Sequence, residues 1–168
     1  MPDRRAANLL GALVTLLHDE VETATAAAAA HGAAIPAALV TVRGEPGLSI
    51  DALRRILGLS HSGAVRLLDR LEEDGTVARK AGPDGRTVAL QLTAAGRRQA
   101  DQVQGARQQA MQRALGVLTP TEQGQLLRLV EKLLAGLTRD QPHCDHVCRL
   151  CDLAACPEAR CPVARAVH

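Results

Sequence analysis

The chain has 168 residues, 46% of them apolar, and a formal net charge of +2. That is enough to bury one sizeable core, and no apolar run reaches the roughly eighteen residues needed to cross a bilayer. Phe, Tyr and Trp are absent, so no rings are available to stack on unpaired bases, which argues against a single-strand or RNA-binding module.

The N-terminus, Met1-Pro2-Asp3-Arg4-Arg5, has none of the features of a secretory signal, and His18, Asp19 and Glu20 interrupt the apolar stripe that follows. A cytoplasmic protein with no membrane partner is expected. Residues 3–30 read as one long helix with Leu9, Leu13, Leu16, Leu17 and Val21 on a stripe, and Ile35-Pro36 opens a shorter one.

Ser49 caps a third helix with Leu53, Ile56 and Leu57 facing inward, and Gly58 stops it. After the turn Gly58-Leu59-Ser60, Ser60 caps a fourth helix. Ala64, Leu67, Leu68 and Leu71 recur at helical spacing, while Ser62, Arg66, Asp69, Arg70 and Glu73 take the opposite face. This is a helix-turn-helix, and its second helix is the one to place in a major groove. Gly75 ends that helix. The alternating runs Thr76–Arg79 and Arg86–Leu92, separated by Ala81-Gly82-Pro83-Asp84-Gly85, predict a hairpin with a cationic tip built from Arg79, Lys80 and Arg86, Asp84 orienting its neighbouring arginine. Thr93 caps the next helix.

Leu59-Ser60, Leu71-Glu72-Glu73-Asp74-Gly75, and Asp84-x-Arg86 followed by Leu92-Thr93 and Gly96 resemble the multiple antibiotic resistance regulator (MarR) family of winged-helix transcription factors. Flanking helices extend the likeness to about residue 138. Gly85 stands where some members carry a second basic residue, which removes one phosphate contact. The resemblance implies a mainly α fold with a small β-hairpin wing, a winged helix-turn-helix between N- and C-terminal dimerisation helices. It also implies a homodimer binding double-stranded DNA, and it permits a small-molecule effector. On this reading Ser60, His61, Ser62, Arg66 and Arg70 meet the major groove, Arg79, Lys80 and Arg86 belong to the wing, and Asp84, Arg86, Leu92 and Thr93 are the wing motif.

Residues 93–118 and 120–137 read as two further helices, broken where Thr119 caps, Pro120 takes the first turn and Glu122 completes a capping box. Leu126, Val130, Leu133 and Leu137 line one face of the second, and Leu127, Leu129 and Leu134 broaden it beyond what one partner covers.

All five cysteines, Cys144, Cys148, Cys151, Cys156 and Cys161, fall in HCDHVCRLCDLAACPEARCPV. Clustered thiols in a reducing compartment are more often metal ligands or redox centres than structural disulfides. Cys148, Cys151, Cys156 and Cys161 are the preferred four, with Cys144, His143 and His146 as alternates. Zinc leads on frequency, an iron–sulfur (Fe-S) cluster accepts the same four thiolates, and a disulfide switch with no cofactor is the third reading. No P-loop, G-x-S-x-G or H-E-x-x-H is present, so no enzyme is expected.

The expected organisation is a dimerisation helix in 1–34, a winged helix-turn-helix in 35–96, dimerisation helices in 97–140 and a cysteine-rich metal-binding tail in 141–168. The expected function is a homodimeric repressor on a pseudo-palindromic operator, sensing metal or redox state. The alternative is a metal- or redox-dependent protein-interaction module that uses the same fold without DNA.

Overall fold

The computed structural model describes residues 3–28, 34–82 and 87–168. Seven helices and a hairpin follow in the order α1 (Arg4–Ala28), α2 (Ala34–Gly44), α3 (Ile50–Leu57), α4 (His61–Glu73), β1 (Val77–Ala81), β2 (Val88–Leu92), α5 (Ala94–Leu115), α6 (Pro120–Leu137) and α7 (Gln141–Cys148). Two single-turn 3-10 helices, Glu158–Arg160 and Ala164–Ala166, close the chain. The mainly helical winged fold expected from the sequence is the one observed.

Short polar side chains set the helix boundaries. Ser49 Oγ accepts from Ala52 N at 3.1 Å, Ser60 Oγ from Gly63 N at 3.1 Å and Thr93 Oγ1 from Gly96 N at 3.1 Å, each satisfying an N–H that the first helical turn leaves free. Thr119 and Glu122 form the reciprocal capping box of α6. Gly58 and Gly75, at φ 67° and 66°, take the left-handed conformations that end α3 and α4, which a side chain would strain.

The core lies in the middle of the chain, where Leu39, Val42, Leu53, Leu68, Leu71, Leu90 and Val103 are completely enclosed. Helix α2 is its axle, buried at every position from Ile35 to Val42. Such a helix shows no amphipathic stripe, because no face of it meets water. Helix α5 runs along α1 and α2, burying Ala100 and Val103, while α6 buries no residue at all.

The sheet exceeds the expected hairpin. β1 and β2 pair antiparallel from Val77 opposite Leu92 to Ala81 opposite Val88. On the other edge of β2, Ser49 bridges Ala89, with Leu90 N donating to Leu48 O at 2.9 Å and Gly47 N to Leu90 O at 2.9 Å. The stretch before α3 therefore secures the base of the wing and covers an edge of β2.

Candidate functional site

The recognition helix α4 turns Ala64, Leu68 and Leu71 into the core and leaves Ser60, His61, Ser62, Arg66 and Arg70 at the surface. Ser60 is committed to its cap, its hydroxyl also lying 3.3 Å from Ser62 Oγ. Arg66 and Arg70 make no ion pair among the described residues. Arg79 differs: its guanidinium reaches Asp69 at 2.8 Å and Glu72 at 2.9 Å, so the root of the wing is clamped to α4. Its charge is compensated where the sequence reading left it free for phosphate. Lys80 follows on β1, exposed and without an ion pair among the described residues. Asp84 and Arg86, the tip of the wing, lie outside the described residues.

At the far end of β2, Leu92 is buried and Thr93 ties the wing to α5, its hydroxyl donating to Gly75 O at 2.7 Å while its N–H donates to Thr76 O at 3.0 Å. Gly96 completes this junction: a Cβ there would stand 1.9 Å from the Thr76 carbonyl oxygen. The backbone of α5 approaches the end of α4 closely because that side chain is missing.

Beyond α6 comes the cysteine-rich tail. It folds back over the helix-turn-helix of its own chain. His146 Nδ1 donates to Ile56 O at 2.7 Å, Thr41 Oγ1 to Arg149 O at 3.3 Å, and Gln104 Nε2 to Cys151 O at 3.0 Å, joining the tail to α3, α2 and α5. Leu150 packs against the main core, and Leu153 Cδ1 lies 3.0 Å from where a Cβ on Gly44 would be. Cys144, Cys161, Val163 and Ala164 form a second small core with Leu134 of α6. These contacts were not legible in the sequence; the apolar Leu150 and Leu153 among polar neighbours were its one signal.

All five cysteines are free thiols and line one cavity of about 490 Å³ between the tail, α2 and the end of α3. Among the described residues, no group of three or more His, Cys, Asp or Glu side chains is drawn together tightly enough to hold a single ion. His143 Nδ1 accepts from Arg139 N at 3.2 Å, so both alternate histidines are engaged with backbone. The Cys148 thiol beside Cys151 donates to it and holds the Cys151 pKa down to about 6 against its burial, with Arg107 and Arg149 assisting. Cys148 is raised in turn by that interaction and by burial. Burial and the neighbouring Cys161 push Cys156 up to about 11, and burial, followed by Asp145, raises Cys144.

Residues 35–87 match the model of the MarR family. The fold superposes on the Mycobacterium tuberculosis MarR family protein Rv2887 in complex with salicylic acid, with a TM-score of 0.60 and 30% identity, over 79% of this chain and 98% of that one. The chain belongs to the MarR family. Apo MarR of E. coli matches this MarR-family chain at TM-score 0.61 and 26% identity, over 74% of this chain and 96% of that one. The YusO protein of Bacillus subtilis, at 23% identity, shares the fold at TM-score 0.67 over 79% and 96%. The HTH-type transcriptional repressor Rv2887 is 36% identical over 89 residues, 52% of this chain; the match spans 64% of the repressor's length.

Proposed function

We propose that this MarR-family chain is a homodimeric DNA-binding transcriptional regulator, a repressor, that sets α4 in successive major grooves of a pseudo-palindromic operator and lays its wing along the adjacent backbone. The observation that carries this reading is the helix α4, whose inner face is locked into the core while Arg66 and Arg70 stand exposed beside Ser62 and His61, with no ion pair among the described residues. Such a helix can enter a groove without unfolding anything, and guanidinium groups reach both phosphates and the guanine edge. The family membership and the 36% identity to a repressor support the same assignment.

The dimer follows from unpartnered surface. Leu9, Leu13 and Leu16 of α1 and Leu127, Leu129, Leu133 and Leu137 of α6 are between 48% and 69% exposed, an apolar area that a second copy would cover. Rv2887 has been solved with salicylic acid, and a small anionic effector is part of the proposal here. The cavity lined by Arg97 and by Arg43, which Asp101 pairs at 2.7 Å, suits an anion better than the thiol cavity, which Glu45, Asp145 and Glu158 also line. The thiol cluster is the second sensory element, binding metal or responding to oxidation; five reduced cysteines lining one cavity, with Cys148 and Cys151 in contact, support it.

Titrating a fluorescent duplex taken from upstream of the chain's own coding sequence, at several salt concentrations, tests the reading. Saturable binding with a steep inverse dependence on salt is expected. Absence of binding at low salt would leave the alternative, a metal- or redox-dependent protein-interaction module, which the carboxylate pairing of Arg79 favours.

A further inference from the structure

We propose that Cys148 and Cys151 form an oxidisable pair, in which Cys151 attacks hydrogen peroxide and Cys148 closes a disulfide, and that this closure weakens operator binding. The disulfide deepens the oxidation-responsive reading of the thiol cavity given above and needs no DNA; the effect on the operator rests on the regulator reading.

Contacts divide the five free thiols into two groups. Cys144, Cys148 and Cys151 are hydrogen-bonded in a chain, and Cys156 pairs with Cys161. Backbone geometry decides which neighbours can join. Cys148 ends α7, and Cys151 N donates to Cys148 O at 2.8 Å across Arg149 and Leu150. A turn closed in this way holds its outer Cα atoms within about 7 Å, the range a disulfide bridges at about 4.4–6.8 Å. Cys144 and Cys148 stand one helical turn apart, so their Cβ atoms are about 5–6 Å from each other, beyond the roughly 3.5–4.5 Å that a disulfide needs. Cys161 is enclosed in the second small core, away from a dissolved oxidant.

Cys151 is the sulfur placed to react first. It is half-buried at the cavity of about 490 Å³, and the Cys148 thiol donates to it, with Arg107 and Arg149 close by. That setting holds it down to about 6 and favours the nucleophilic thiolate. Hydrogen peroxide is small and neutral, so Glu45, Asp145 and Glu158 in the lining do not repel it as they would an anionic oxidant. The Cys151 thiolate attacks one peroxide oxygen: an S–O bond forms, the O–O bond breaks, and the leaving hydroxide takes the Cys148 proton as water. The Cys148 thiolate then attacks the Cys151 sulfur, the S–S bond forms, and the S–O bond breaks as hydroxide leaves to be protonated by solvent. Each sulfur gives up one electron and the peroxide gains two.

The turn that closes is also the turn that seats the tail. Arg149 O and Cys151 O accept from Thr41 of α2 and Gln104 of α5 at 3.3 Å and 3.0 Å. His146, on the helix that Cys148 ends, donates to Ile56 O in the last turn of α3, which leads through Gly58 and Leu59 into the Ser60 cap of α4. Drawing the two sulfurs to about 2.05 Å shifts this turn against all three helices. The oxidised tail holds the helix-turn-helix less firmly, so more ordering is left to be done on DNA, and affinity falls by about five-fold or more.

The test treats the reduced full chain with hydrogen peroxide, alkylates the remaining thiols and reads intact mass and tryptic peptides. Expected are the loss of two thiols and a cross-link between Cys148 and Cys151, which trypsin reveals by cutting at Arg149 between them. Cys144→Ser should form the same link. Cys148→Ser should stop at a sulfenic acid on Cys151, trapped by dimedone, and Cys151→Ser should keep its thiols at the same dose. A first link through Cys144, Cys156 or Cys161, sulfenic acid on another cysteine, or thiols that stay intact overturns the pair. So does a stoichiometric metal in the purified chain that shields the thiols from peroxide. Reduced and oxidised wild type are then titrated with the upstream duplex, the oxidised form binding more weakly while Cys151→Ser is blind to peroxide. Equal affinities overturn the effect on the operator. If the disulfide forms but neither state binds DNA, the regulator reading and that effect fail while the pair stands.

Discussion

At the scale of single residues, the arginines of the DNA-reading unit are not equivalent. Arg79 is shared between Asp69 and Glu72, whereas Arg66 and Arg70 are open to solvent and Arg86 stands in the wing motif. Arg86→Ala should lower the slope of log affinity against log salt by about one, the loss of one phosphate contact. Arg79→Gln should lower it by clearly less; equal losses in a salt titration of the two variants would mean that Arg79 releases its carboxylates on DNA. Thr93 acts differently, because its hydroxyl both caps α5 and donates to Gly75 O. Thr93→Ala should cost about 1–2 kcal/mol in urea unfolding, the usual penalty for an emptied cap. A variant unfolding at the wild-type midpoint would show that water replaces both bonds.

At the scale of elements, the junction of α4, the wing and α5 depends on one missing side chain. A methyl group on Gly96 would overlap the Thr76 carbonyl, so Gly96→Ala should destabilise the fold by about 2 kcal/mol or more through overpacking, read as a lowered thermal midpoint. An unchanged midpoint would mean that α5 can shift away freely. Ser49, Ser60, Thr93 and Thr119 were all readable in the sequence, because a cap is a contract between residues three or four apart; Gly96 entered only through the family resemblance, since Thr76, which it must clear, is distant in the chain. The second pairing of the sheet, between Ser49 and Ala89, was not readable. Pro46, Gly47 and Leu48 show no alternation, and only the tertiary position of β2 makes Leu48 and Ser49 its neighbours. Helix α2 was underread for a related reason: buried all round, it offers no stripe. The docking of the tail was beyond reach as well, since His146 and Ile56 are 90 residues apart and Thr41 and Arg149 are 108 apart.

At the scale of the whole molecule, the single chain leaves α6 without one buried residue, and a helix of that kind needs another copy to cover it. Leu133→Glu should put an unpaired carboxylate into the interface and convert the dimer to monomer, at a cost of several kcal/mol to association. Sedimentation velocity checks this directly, and a variant dimer of wild-type strength would move the interface elsewhere. The tail adds a consequence in the opposite direction. If a ligand among the cysteines changes the affinity for DNA through the His146–Ile56 bond, then DNA must change the affinity for that ligand by the same factor. Where that change is a tightening, protein seated on its operator would stay loaded at a lower free concentration of the ligand than protein free in solution, so the chromosome itself would act as a preservative. As the free ligand is titrated away, the unbound pool would then be half-empty at a higher free concentration than the operator-bound copies.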